Sequence, residues 1–175
     1  PMSGGVCLSG NGYVHFALML TEYGSYIGIL AHELTHGCLA HLPLPTWLNE
    51  ALAMRMEEIA SGTNSGYFDP EIHDKHVSFW NQDTIQDFWS GTSWRNADEG
   101  FELSYSLASV LWRKIEIGLN PSQQTMVKFI NEASVCDAGA TAFEKHFRMG
   151  LGNLAASYFG PGDWSPKPET WIEKE

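Results

Sequence analysis

His32-Glu33-Leu34-Thr35-His36 and, a short connector later, Pro45-Thr46-Trp47-Leu48-Asn49-Glu50-Ala51-Leu52-Ala53 decide how this chain reads. An α-helix advances about 100° per residue, so residues four apart stand about 40° apart on one face. His32 and His36 on that spacing can hold one Zn2+ through ring nitrogens at about 2.0–2.1 Å. Glu33, beside the first histidine, reaches a metal-bound water rather than the metal, which is the place of a general base in metal-assisted hydrolysis. The surrounding residues supply a helix: Ser25 to Leu42 (SYIGILAHELTHGCLAHL) reads as one mostly buried helix. Ile27, Ile29, Leu30, Leu34 and Leu39 are expected to cover its remaining surface. The competing explanation is two capped or solvent-facing histidines on an ordinary helix.

A catalytic zinc site uses three protein ligands and leaves a position for water. His41 follows His36 by five residues, about 140° around a continuous helix, and points away unless the helix breaks at Gly37. Glu50 is the better candidate. Pro43 and Pro45 end the first helix, and a second antiparallel helix would bring the Glu50 carboxylate beside the two imidazoles. Its neighbours Trp47, Leu48, Ala51 and Leu52 suggest a buried surround, where a carboxylate needs a cation.

Working outward, Val14 to Leu20 reads as a strand after the turn-like Ser9–Gly12. The second helix is expected from Thr46, as N-cap, to about Ala60, ended by SGTNSG (Ser61–Gly66). Residues 67–97 are aromatic, polar and irregular, a long excursion with room for one short helix. A third helix is expected from Asp98 to Ile117, closed by Gly118. A fourth follows Asn120 and Pro121, a cap with Pro at the first helical position. Short helical pieces follow at 141–148 and 151–159, then a Pro-rich extended arm over about 160–175. With no repeat and no linker, residues 1–175 read as one α+β domain, mostly α-helical, with a small N-terminal strand region packed on the HExxH helix.

HELTH followed by PTWLNEALA closely resembles the gluzincin zinc peptidases, especially the small peptidase-MA-like domains. The aminopeptidase N and thermolysin families are more distant relatives. Phe101–Gly118 and Thr141–Phe159 are similar to their later helices, so the likeness spans about residues 13–160. The resemblance implies a zincin-like catalytic domain acting on a peptide or protein substrate. It implies His32, His36 and Glu50 as ligands of a Zn2+ cofactor, and Glu33 as the base. It also implies an extended substrate paired with the edge of strand 14–20. Two positions depart from the pattern. Phe101 stands where these relatives often carry the tyrosine that stabilises the tetrahedral intermediate, and Tyr105, one turn later, is the nearest phenol on that face. The acidic segment with which aminopeptidases hold a free amine is missing from GNGYVHFALML (Gly10–Leu20), which favours an endopeptidase.

The 175 residues carry a formal charge of −11, with 43% hydrophobic and 13% aromatic residues. Such composition excludes a disordered chain and makes nucleic acid a poor partner. Nothing at the N-terminus reads as a signal peptide, and no run approaches the ~18 apolar residues of a membrane span, so a soluble domain is expected. Cys7, Cys38 and Cys136 form no CxxC pair and read as buried thiols. No Lys or Arg precedes Arg55, and the only acids before it are Glu22, Glu33 and Glu50. Weaker signals are His73 and His76, as a second metal pair or oxyanion donors, and Trp80, Trp89 and Trp94, as a cover for the core or a cleft lining. Arg113-Lys114 reads as a solvated helix end. Other functions open on this sequence are a zinc-binding recognition module without activity, a hydrolase of a non-peptide amide, and a structural helical module.

Overall fold

The computed structural model describes residues 5–10, 13–18, 26–63 and 69–171. Two strands, β1 (Gly5–Gly10) and β2 (Tyr13–Leu18), precede eight helices among them. These are α1 (Tyr26–Leu39), α2 (Thr46–Ser61), α3 (Pro70–Phe79), α4 (Ile85–Ser90), α5 (Glu99–Arg113), α6 (Gln123–Glu132), α7 (Ala140–Phe147) and α8 (Leu151–Phe159). The protein is therefore mostly helical, with one antiparallel two-stranded sheet in which Gly5 pairs with Leu18 and Gly10 with Tyr13. Glu22, Ser25, the ends of the expected strand (19–20) and of SGTNSG (64–66), and residues 172–175 lie outside the described residues.

Good helix formers fill 46–61 (TWLNEALAMRMEEIAS), and α2 is the element from which the rest is built. Its cap differs from expectation. Pro45 sits at the N-cap in an extended conformation with no side-chain cap, and Thr46 is the first helical residue. Gly62, at φ 67°, closes the helix in the left-handed region that suits glycine. One face of α2 buries Trp47, Leu48 and Ala51 completely or nearly so. The Trp47 indole donates to the Ala138 carbonyl at 2.9 Å and meets Trp89 edge-on, centroids 5.9 Å apart. Around that face gather Phe88, Leu107, Leu111, Phe129, Phe143, Leu151 and Leu154 in one hydrophobic cluster. A fully buried Leu or Phe in it contributes about 1.5–3 kcal/mol.

α1 is not the mostly buried helix its apolar residues predict. Only Gly28 and Glu33 are buried in it, and Ile27 and Leu34 are exposed. The reason is its position: α2 covers one side, the hairpin another, and the main cluster draws no residue from it. Glycine sets both contacts. A Cβ at Gly28 would lie 3.2 Å from Glu57 Cγ, and one at Gly37 would lie 2.8 Å from the Phe16 ring.

Residues 69–97 are more regular than their composition suggests; 67–68 lie outside the described residues. Asp69 accepts from the Glu71 and Ile72 amides and Pro70 opens α3; α4 and a 3-10 turn at Thr92–Arg95 follow. Trp80 and Trp89 are core residues and Trp94 packs against them. α5 begins where expected, with Asp98 as its N-cap accepting from the Gly100 amide, but changes to a π-helical segment at Lys114–Leu119. Arg113 is buried against Glu58 rather than solvated. Ser122, not Asn120, caps α6. The expected arm after Gly160 is instead strapped to the core. Trp164 is buried, and the Gln86 amide donates to Ser165 O and accepts from Lys167 N and the Trp171 indole at 2.8–3.1 Å. Cys38 and Cys136 are exposed and Cys7 is half-buried, so the expected burial of these thiols does not hold. No helix among the described residues is long and apolar enough to cross a membrane.

α3 carries His76, fully buried, with Nδ1 2.8 Å from the Tyr158 hydroxyl. Burial disfavours its charged form and lowers its pKa to about 4. The unfolded chain, with an ordinary histidine, takes up that proton first. Stability from this residue is present above pH 6.5 and is lost as pH falls towards 4, by up to about 1.4 kcal/mol per pH unit. Denaturant unfolding across this window should show a smaller loss for His76→Gln than for the parent.

Candidate metal centre

α1 and α2 run antiparallel: Gly28 meets Glu57, His32 lies between Glu57 and Glu50, and His36 meets Asn49 and Glu50. This packing brings together His32, His36 and Glu50, whose ligand atoms all lie within 4.8 Å of one another. Glu50 Oε2 stands 3.5 Å from His32 Nε2 and 3.7 Å from His36 Nε2. Ligand atoms about 2.0–2.1 Å from a tetrahedral zinc are about 3.3–3.4 Å apart, close to both spacings. Glu50 Oε2 is also buried and without a hydrogen-bond partner. A carboxylate oxygen in that condition requires a positive charge, so the donor set fits a zinc ion. His41, by contrast, is exposed beyond the end of α1 and lies outside the cluster.

Two further residues orient the imidazoles. His32 Nδ1 lies 3.1 Å from Glu57 Oε2, and His36 Nδ1 lies 3.2 Å from Asn49 Oδ1. Both oxygens only accept, so each Nδ1 donates and each Nε2 is turned towards Glu50. Glu57 was not anticipated, although its spacing was readable. Seven residues after Glu50 is about two turns, which places it on the same face. His32 itself feels opposing influences. Burial works against its charge, but the neighbouring Glu50 and Glu57 carboxylates outweigh it and push the pKa up to about 9.

Glu33, 4% exposed, sits under β1. The Cys7 thiol on that strand is pushed up by burial and by the Glu33 charge. The strand beside Glu33 is thus β1, which was not foreseen because GVCLSG alternates poorly; the expected strand, β2, packs on Gly37. Tyr105 is half-buried on α5. Burial, with the Glu50 and Glu33 charges, raises its pKa to about 12, so its phenol keeps its proton. Phe101 packs on it, rings 5.3 Å apart. His73 and His76 are engaged elsewhere, with the Tyr158 carbonyl and hydroxyl respectively. Among the described residues they form no second metal cluster.

No family model, curated protein or solved structure matches the chain.

Metal binding is open to direct measurement. Glu50→Ala should lower zinc affinity in chelator competition far more than His41→Ala. Glu57→Ala should lower it by about 10–100-fold through loss of His32 orientation. Because the cation competes with the His32 proton, binding at neutral pH should release about one proton and tighten as pH rises towards 9; calorimetry in buffers of different ionisation enthalpy reads this.

Proposed function

We propose that this protein is a zinc-dependent peptidase of the gluzincin type, an endopeptidase rather than an aminopeptidase. The observation that carries the reading is Glu50 Oε2, buried and unpartnered between the Nε2 atoms of two histidines on an HExxH helix. His32, His36 and Glu50 would hold the ion. Zinc, when bound, lowers the pKa of a coordinated water and polarises a carbonyl.

The chain's own residues supply the rest. The Glu33 carboxylate takes the proton of the attacking water and returns it to the leaving amine. Its burial keeps bulk water from competing for that proton. The Tyr105 hydroxyl donates to the oxyanion that develops on the scissile carbonyl; with a pKa of about 12 it remains a donor throughout the working range. β1 pairs with β2 on one side only, and its other edge is suited to an extended peptide lying past Glu33. The absence of an acid along β1 and β2 supports internal cleavage, since nothing there would bind a free amino terminus.

Peptide-library cleavage, run beside elemental analysis, tests the reading. Glu33→Gln should retain zinc and lose turnover by about 10²–10⁴-fold. Tyr105→Phe should lower kcat by about 10²–10³-fold with little change in KM. A zinc-loaded parent that cleaves no peptide would leave a metal-binding module or a hydrolase of another amide. A Glu33→Gln variant as active as the parent would reject the mechanism.

A further inference from the structure

Gly5 lies directly over the base. A Cβ placed at this position would stand 2.9 Å from both Cγ and Oε1 of Glu33, and 3.0 Å from Cδ2 of Leu18. Side-chain carbons do not tolerate contacts that short, so something would have to move. The Glu33 side chain has little room to do so, being 4% exposed. Antiparallel pairing of Gly5 with Leu18 and of Cys7 with Phe16 puts these four residues on one face of the hairpin. Phe16 anchors that face on α1 through its close contact with Gly37. The strand cannot lift at Gly5 without disturbing that contact one turn along the helix from Glu33.

We infer that Gly5 is a positioning residue for the general base: its lack of a side chain leaves the space in which the Glu33 carboxylate is held against the backbone of β1. The inference rests on the peptidase reading for the word base, and on the packing for the contact itself. A base displaced by a fraction of an ångström stays on the same helix beside the same ligands. Its alignment with the water suffers, while substrate binding along the strand and the metal set do not.

The test is a double-mutant cycle with two readouts on the full chain. The first is thermal unfolding in the presence of a chelator, which needs neither metal nor activity. Gly5→Ala should lower Tm when residue 33 is glutamate and lower it markedly less in a Glu33→Ala background, where Cγ and Oε1 are gone and only the Leu18 Cδ2 contact remains. The second is steady-state peptide hydrolysis by zinc-loaded protein. Gly5→Ala should lower kcat by about 10–100-fold with zinc content at parent level and KM changed less than twofold. Additive Tm effects would overturn the contact, and a parent-like kcat in Gly5→Ala would overturn the positioning role while leaving the peptidase reading in place. An inactive zinc-loaded parent would overturn the peptidase reading and the role with it, even where the Tm coupling is found.

Discussion

One carboxylate oxygen, Glu50 Oε2, buried between the imidazoles of His32 and His36 without a hydrogen-bond partner, sets the terms for the rest of the molecule. A charge in that setting must be matched, either by a proton on His32 or by a metal ion. Everything around it serves to keep the three groups close. The connector between α1 and α2 contains Pro43 and Pro45, which cannot continue a helix and turn the chain back on itself. Gly28 removes the side chain that would hold the helices apart. α2 is itself fastened to the core by Trp47, Leu48 and Ala51. Glu50 and Glu57 are thus presented by a rigid element, and the helix that carries the histidines leans on it.

The relation of α2 to α5 places the phenol. Arg113 on α5 is paired with Glu58 on α2, both largely buried, and Arg55 reaches Glu116 at 3.0 Å. Tyr105 precedes Arg113 by eight residues, and Glu50 precedes Glu58 by the same number. Eight residues is about 12 Å along either helix, so Glu50 and Tyr105 lie equally far along their helices from the ion pair. Phe101 lies one further turn back on α5 and packs on the Tyr105 ring. The Glu50 and Glu33 charges add to burial in raising the Tyr105 pKa.

How much of this was legible depends on the range of the interaction. The HExxH pair and Glu50 are within one helical hairpin, and spacing alone brought them together. Glu57 lies within the same reach, two turns after Glu50 on the same face of α2, but it sits behind His32 Nδ1 rather than among the ligand atoms. The α3 start was equally local, an Asp69-Pro70 cap hidden by the aromatic, polar composition around it. Other features were out of reach. Burial of Arg113 needs its partner 55 residues away. Attachment of the tail needs Gln86, which clamps residues about 80 positions later. The exposure of Ile27 and Leu34 follows from what fails to cover α1, which no pattern of apolar residues within it can reveal. That β1 rather than β2 lies on Glu33 required the hairpin to be seen docked.

The distribution of charge explains why a cluster of carboxylates can persist here without a basic side chain closing it. No Lys or Arg precedes Arg55 in the sequence, so α1 and the hairpin bring no cation to Glu33, Glu50 or Glu57. The nearest arginines along α2 and α5, Arg55 and Arg113, are drawn to Glu58 on α2 and to Glu116 in the π-helical segment after α5. An arginine within reach of Glu50 would form a bidentate pair and remove the oxygen from metal binding. Among the described residues the basic side chains beside Glu50 are those of His32 and His36, and histidine, unlike arginine, can give up its proton. The charge-poor first third of the chain thus brings no lysine or arginine that could close on the Glu50 carboxylate.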